Sequence, residues 1–398
     1  MTHKIFLLCL ACLLYLSVDL FGQGKPPEPI TLGESVSIYS NILKEERKLL
    51  IYLPSSHQDS TLSEKHPVLF VLDGDWYFPA TAGMLAYAKG AFSLPEMIVV
   101  AISNTDRVRD FTPTRSNQNM FGEEIQGLEN SGGGPVFIRF LQEELIPYID
   151  TSYRAADHRI LAGHSFGGLL VNHLMTTQPE LFHGYILIDP SLWWDQARQV
   201  AQTERFLNTR PNWKNRLFFA LADHDTGLEA ENGPHVKAMA DYQALFRAAT
   251  FPNLEDRFAF FADETHASVG LPAMYQGLRF LFKGYRPADS VFQHLDLLEA
   301  HFSKLSEAYG VEMWPPEGLV RNLGWGAQYG EKNLEKALDF FSLNLKHYPK
   351  SANAHKVLGE AYEMNGQGKK ARFHFQEALK LHPSDDQLKE KLKQVREE

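Results

Sequence analysis

Residues 160–175 read ILAGHSFGGLLVNHLM. Ile160, Leu161 and Ala162 have the character of a buried strand end, and residues 168–175 carry the apolar run of a helix. Between them lies Gly163-His164-Ser165-Phe166-Gly167, a G-x-S-x-G pentapeptide. A sharp strand-to-helix turn lifts a serine hydroxyl out of its sheet, and flanking glycines remove side chains that would clash. The pentapeptide alone is a weak signal; its place between strand and helix gives it weight. His164 reads as a packed side chain beside the turn.

Working outward, short apolar runs alternate with helical patterns from about residue 36 to 281. Strand character falls at 48–53, 68–72, 97–102, 184–188, 217–222 and 258–261; helical character falls at 135–149, 168–177, 236–249 and 272–282. Continuous apolar strands alternating with helices predict a mostly parallel sheet covered on both faces, an α/β fold.

A serine is a poor nucleophile until a base takes its proton. In this arrangement an acid and then a histidine follow the serine along the chain. His266 lies after the last predicted strand and before the last helix of the α/β region, the expected loop for the base. His173, His183 and His235 are less well placed. The acid is sought after strand 217–222, in Asp223-His224-Asp225 and the following Glu229 and Glu231. Asp225 is favoured by its offset from the strand end, with Asp223, Glu229 and a dyad lacking an acid left open. Asp223, His224 and Asp225 alternate on a short turn, and no second histidine pair has ligand spacing, so neither metal nor cofactor is expected.

An oxyanion hole needs two backbone N–H groups. One follows the nucleophile, at Phe166. The other comes from the loop after an early strand, where Asp73-Gly74-Asp75-Trp76 makes Asp75 the candidate. Trp76, Trp193 and Trp194 fall in loops above the sheet and are candidate walls of a substrate pocket. Arg107 and Arg109 are expected to pair with Asp106 or Asp110. Ser131-Gly132-Gly133-Gly134 lacks the ending of a phosphate loop and reads as a loop before a helix.

Several motifs in order resemble the esterase D / enterochelin esterase family of α/β hydrolases over about residues 35–285. They are 71–75 (VLDGD), 109–114 (RDFTPT), 140–149 (FLQEELIPYI), 159–168 (RILAGHSFGG) and 189–194 (DPSLWW). The resemblance implies a serine hydrolase with Ser165 as nucleophile, His266 as base, and Asp75 and Phe166 as N–H donors. Members of the family cleave siderophore lactones, feruloyl or acetyl esters and S-formylglutathione, and related mycolyltransferases move acyl groups. Many relatives have Gly-Asn and a glutamate after the strand that here ends Ala222-Asp223-His224-Asp225. The function expected is hydrolysis of a small-molecule ester. An acyltransferase with the same site, or a repeat protein that binds peptide beside a vestigial hydrolase, are the alternatives.

The last eighty residues are different. Ala337 and Ala371 are 34 apart, as are Pro349 and Pro383, and the segments ending at those prolines share their spacing. A 34-residue period of helix pairs is the tetratricopeptide signature, and 358–362 (LGEAY) resembles that family's first helix. Leu388, Leu392 and Val395 form the stripe of a capping helix. Two repeats and a cap are too few to stand alone, so the tail should lean on the stripe 289–309 or on the larger domain. It is also the segment expected to hold a protein or peptide partner. The expected domains are 24–285, the α/β-hydrolase; 286–316, a helical linker; and 317–398, the all-α tetratricopeptide-like tail.

Composition bounds the rest. The chain has 398 residues, with 39 Lys+Arg against 49 Asp+Glu and a net charge of −10. So acidic a chain lacks the basic footprint of a phosphate-backbone binder, and no nucleic-acid partner is expected. Lys4, an apolar run from Ile5, and Gly22-Gln23-Gly24 after it predict a signal peptide over 1–23, hence export to the periplasm or medium. The run is short for a span of about 20 apolar residues, so no membrane anchor is expected after cleavage. Cys9 and Cys12, the two cysteines, would leave with it.

Overall fold

The computed structural model describes residues 29–58, 62, 64–224, 233–248 and 251–395. The predicted signal segment 1–23 and Asp225, Glu229 and Glu231 lie outside them. Among the described residues a single sheet of eight strands runs in the order β1-β2-β4-β3-β5-β6-β7-β8. The strands are β1 (Glu34–Ser40), β2 (Glu45–Tyr52), β3 (His66–Val71), β4 (Ile98–Ile102), β5 (Ala155–His164), β6 (Gly184–Ile188), β7 (Asn215–Ala222) and β8 (Leu254–Phe261). β1 and β2 are antiparallel to their neighbours; β4, β3 and β5 through β8 are parallel.

The central strands are apolar on both faces because both faces are covered. In β3, Val68 and Phe70 join one core while Leu69 and Val71 join the other. This is the period-two alternation of a strand with two buried faces. The second face is covered by α2 (Phe166–Thr177), α3 (Trp194–Thr209), α4 (Pro234–Ala248) and a helical run over 134–152. That run widens into a π turn, Leu141–Leu145, just ahead of Pro147. A proline lacks the N–H for the preceding turn and crowds its carbonyl, and a wider turn accommodates both. Asn172 of α2 satisfies its buried amide with Thr203 of α3 and the Tyr242 hydroxyl of α4, which donates to Asn172 Oδ1 at 2.8 Å.

The first face is covered by α1 (Gly74–Gly90), α5 (Gly270–Leu281) and the carboxy-terminal helices. These are α6 (Leu295–Tyr309), α7 (Glu317–Trp325), α8 (Leu334–His347) and α9 (Ala352–Met364); beyond them α10 (Gly368–Leu381) and α11 (Asp386–Gln394) close a smaller apolar cluster of their own around Phe375 and Leu388. One continuous apolar core runs from Leu278 and Phe282 through Leu298, Phe302, Leu305 and Tyr309 to Val320, Phe340 and Leu358. The predicted linker 286–316 therefore contains a packed helix, and the tail leans on both supports named from the sequence. His158 of β5 and Tyr309 of α6 seal the join: the imidazole Nδ1 lies 3.1 Å from the Tyr309 carbonyl oxygen. No helix among the described residues is long and apolar enough to cross a membrane.

Candidate active site

β5 ends at His164, α2 begins at Phe166, and Ser165 alone makes the turn. Its backbone takes φ +59°, ψ −119°, a conformation that costs a non-glycine residue about 1–3 kcal/mol. Two glycines around it, Gly163 and Gly168, have no room for a side chain. A Cβ on Gly163 would come within 2.5 Å of the Gly167 backbone, and one on Gly168 within 2.7 Å of Pro190 Cβ. The turn is pinned to the neighbouring strand: Ser165 N–H donates to Ile188 O at 3.0 Å, and Ser191 N–H to Ser165 O at 3.0 Å.

His266 arrives from the loop between β8 and α5, as expected. Asp223 N–H, at the end of β7, donates to the Glu264 carbonyl in that loop at 2.8 Å. His266 Nε2 lies 3.1 Å from Ser165 Oγ. On the other side of the ring, Nδ1 lies 2.6 Å from Asp189 Oδ2. With Nδ1 donating to the carboxylate, Nε2 is left as an acceptor for the serine proton.

The carboxylate in this relay is therefore Asp189, which the reading of the sequence did not weigh as the acid. Asp225, favoured there, lies outside the described residues, and Asp223 is engaged at the β7 end through its backbone. Asp189 follows β6, the strand next to the nucleophile's strand. A signal was present in the motif 189–194, where an acidic residue directly follows a buried apolar strand adjoining the elbow. The order Ser165, Asp189, His266 is serine, acid, histidine.

Asp189 is fully buried. Its Oδ1 accepts from Ala222 N–H at 3.2 Å. His224 Nε2 lies 3.0 Å from Oδ2, and His235 Nε2 lies 3.4 Å from Oδ1. Burial opposes charge on this carboxyl, but hydrogen bonds from His224, His235 and His266 outweigh it and hold the pKa well below the usual carboxylate range. Spacing along the chain had argued against a histidine cluster. The fold gathers His224, His235 and His266 from three separate segments around Asp189.

The expected oxyanion donors sit at the starts of two helices. Phe166 is the first residue of α2 and Asp75 the second of α1, so both N–H groups belong to first turns that lack intrahelical acceptors. The loop ahead of Asp75 is fixed by Asp73, which accepts from Arg107 Nε and Asn104 Nδ2, each at 2.6 Å. Arg107 is thus paired with Asp73 rather than with Asp106 or Asp110. It also donates to the His164 carbonyl at 3.2 Å. Arg109 does pair with Asp110, at 2.8 Å, and with Glu45.

The open cleft beside the serine is lined by Asp75, Trp76, Tyr77, Arg107, His164 and His266. Trp76 is 74% exposed there. His164 packs beside the turn, as expected: its ring lies 4.5 Å from that of His266, and burial, then the neighbouring His266, push its pKa down to about 4. Trp194 is a correction. It is fully buried, and its indole N–H donates to Thr114 Oγ1 at 3.0 Å, so it is core and not pocket wall. Trp193 is half-buried against Phe166 and Trp194.

The family model Esterase, described as "Putative esterase", matches residues 40–244, and a tetratricopeptide repeat model matches 352–385. The ferri-bacillibactin esterase BesA of Bacillus subtilis is 30% identical over 178 residues, 44% of this chain and 61% of that protein. The siderophore triacetylfusarinine C esterase of Aspergillus fumigatus is 26% identical over 194 residues, 47% of this chain and 66% of that protein. Both matches span less than two thirds of the relative's length. A solved IroE-like serine hydrolase from Shewanella oneidensis superposes with a TM-score of 0.69 at 26% identity, covering 79% of this chain and 99% of that one.

Proposed function

Because the chain belongs to the esterase family, we propose that it is a serine carboxylic-ester hydrolase whose substrate is a siderophore ester, acting outside the cytoplasm. The observation that carries the reading is the relay from Ser165 Oγ through His266 to the buried Asp189, at 3.1 Å and 2.6 Å. Ser165 Oγ attacks the ester carbonyl carbon while His266 Nε2 takes its proton. The oxygen that gains charge is met by the N–H groups of Phe166 and Asp75. Collapse of that adduct expels the alcohol, which recovers the proton from His266. Water, activated by the same imidazole, then frees the acid and restores Ser165. Asp189 holds the ring in the tautomer this sequence needs and stabilises its charged form.

The siderophore assignment rests on the two esterase relatives and on an open cleft able to admit a bulky ester. The intact relay speaks against a vestigial hydrolase. The tail is assigned a protein- or peptide-binding role on its repeat pattern, and export rests on the composition of 1–23.

The test is hydrolysis of a panel of siderophore, feruloyl, acetyl-sugar and simple aliphatic esters by the wild type and by Ser165→Ala. The siderophore ester should be cleaved with the highest kcat/KM, and the variant should be inert to all and unlabelled by a fluorophosphonate. Undiminished cleavage by Ser165→Ala would overturn the mechanism, and preference for another ester would overturn the substrate. Faster transfer to an added alcohol than to water would recast the enzyme as an acyltransferase.

A further inference from the structure

We propose that Asp189, His224, His235 and His266 form a binding site for a divalent transition-metal ion of the zinc class, and that its occupation silences Ser165. The silencing rests on the serine mechanism proposed above; the site itself does not.

One ligand atom from each of the four residues lies within 4.8 Å of every other. A tetrahedral ion with bonds of about 2.0–2.2 Å asks for ligand atoms about 3.4 Å apart. The distances from the Asp189 carboxylate are 3.0 Å to His224 Nε2, 3.4 Å to His235 Nε2 and 2.6 Å to His266 Nδ1. Small side-chain rotations bring all four onto one ion.

The donors come from the ends of four separate elements of the fold. Asp189 follows β6, His224 follows β7, His235 is in the first turn of α4, and His266 lies between β8 and α5. Asp189 and His235 are buried, whereas the His266 side chain is 42% exposed, which leaves a route in from solvent. Three imidazoles and one carboxylate suit borderline ions such as zinc, cobalt or nickel, and not calcium or magnesium, which take oxygen-rich sites. A hydrolytic relay needs one imidazole on its carboxylate; two more converge on this one.

Ligation changes the relay directly. The ion takes the place of the His266 Nδ1 proton, and that single ring proton moves through solvent to Nε2, facing Ser165 Oγ; the ring stays neutral and no electron is transferred. An Nε2–H cannot accept the serine proton, so the hydroxyl loses its base.

The experiment uses the full chain. Ser165→Ala, which keeps all four ligands, is titrated with Co²⁺ as a coloured stand-in for zinc. The site predicts saturable visible bands of tetrahedral intensity at one equivalent, abolished by Zn²⁺. His224→Ala and His235→Ala should each weaken Co²⁺ binding by more than about tenfold, with folding followed by circular dichroism. A second measurement needs no variant: Zn²⁺ should block fluorophosphonate labelling of wild-type Ser165, and EDTA should restore it. Absence of saturable bands, or bands unchanged when both histidines are replaced, would overturn the site. Labelling at full rate under saturating Zn²⁺ would overturn the silencing. If the metal-free wild type is never labelled yet the Co²⁺ bands appear, the serine mechanism and the silencing fail while the site stands.

Discussion

Ser191 grips Ser165 twice: its N–H donates to the Ser165 carbonyl at 3.0 Å, and the two hydroxyls lie 3.2 Å apart. The loop that begins with Asp189 is thereby fastened to the turn that carries the nucleophile. Ser191 is itself buried. Ser191→Ala removes the hydroxyl contact and keeps the backbone one. The expected outcome is a stable protein with kcat lowered by a few-fold, about 1 kcal/mol of transition-state stabilisation. Steady-state kinetics beside a melting curve checks it.

The strained turn gives a separate test. Ser165 at φ +59° holds about 1–3 kcal/mol of backbone strain. Glycine relieves it but loses roughly 0.5–1 kcal/mol to the freedom of the unfolded chain. Ser165→Gly should be catalytically dead and more stable by about 1 kcal/mol in urea unfolding. A loss of stability would show that the turn is not strained.

The acid is decided by two asparagine substitutions. Asp189→Asn removes the charge beside His266 Nδ1 and favours the wrong tautomer, so kcat should fall by about 10³–10⁴. Asp225→Asn should leave kcat within roughly threefold of wild type, because Asp189 already supplies the relay's carboxylate. The reverse pattern in side-by-side kinetics would restore Asp225 as the acid.

Trp76 and Trp194 should separate binding from stability. Trp76→Ala, at an exposed cleft wall, should raise KM with kcat and melting temperature near wild type. Trp194→Ala removes a fully buried ring and should cost about 3–5 kcal/mol of stability. Paired kinetics and denaturant melts distinguish the two.

Acid should destabilise the fold through imidazoles remote from the cleft. Burial pushes His66 and His158 from 6.5 down to about 4. His66 faces Glu96, His57 and Arg154; His158 faces His183, Arg216 and Asp157. Between those pH values the unfolded chain binds protons that the folded chain refuses, so stability falls as pH drops from about 6.5 to 4. Each group contributes up to roughly 3 kcal/mol. The melting temperature should decline across that window, with a shallower slope in His158→Gln. A flat profile would contradict the assignment.

The elbow was legible because several requirements coincide at it: an apolar strand, glycines too crowded for side chains, and a helical run. His266 was legible from its place between the last strand and helix. Asp189 was not, because the chain offers a cluster of carboxylates after β7, while the carboxylate of the relay is delivered from the end of β6. His235 opens α4 far from any ligand pattern and joins Asp189 only through the sheet order. β1 escaped notice because an edge strand with polar, exposed positions lacks a continuous apolar run. α1 did so because Pro79 and Gly83 interrupt its sequence. Trp194 illustrates the converse: a tryptophan in a loop motif can be the centre of a core.

The apolar core shared by the sheet and the carboxy-terminal helices has a bearing on how the chain is born. Leu278, Phe282 and the strand residues behind them keep part of their apolar surface wet until α6 to α9 have been made. The nucleophile's turn belongs to the same sheet. A chain interrupted before Phe340 and Phe341 would therefore present an oily face, continuous with the sheet that carries that turn, to chaperones and proteases.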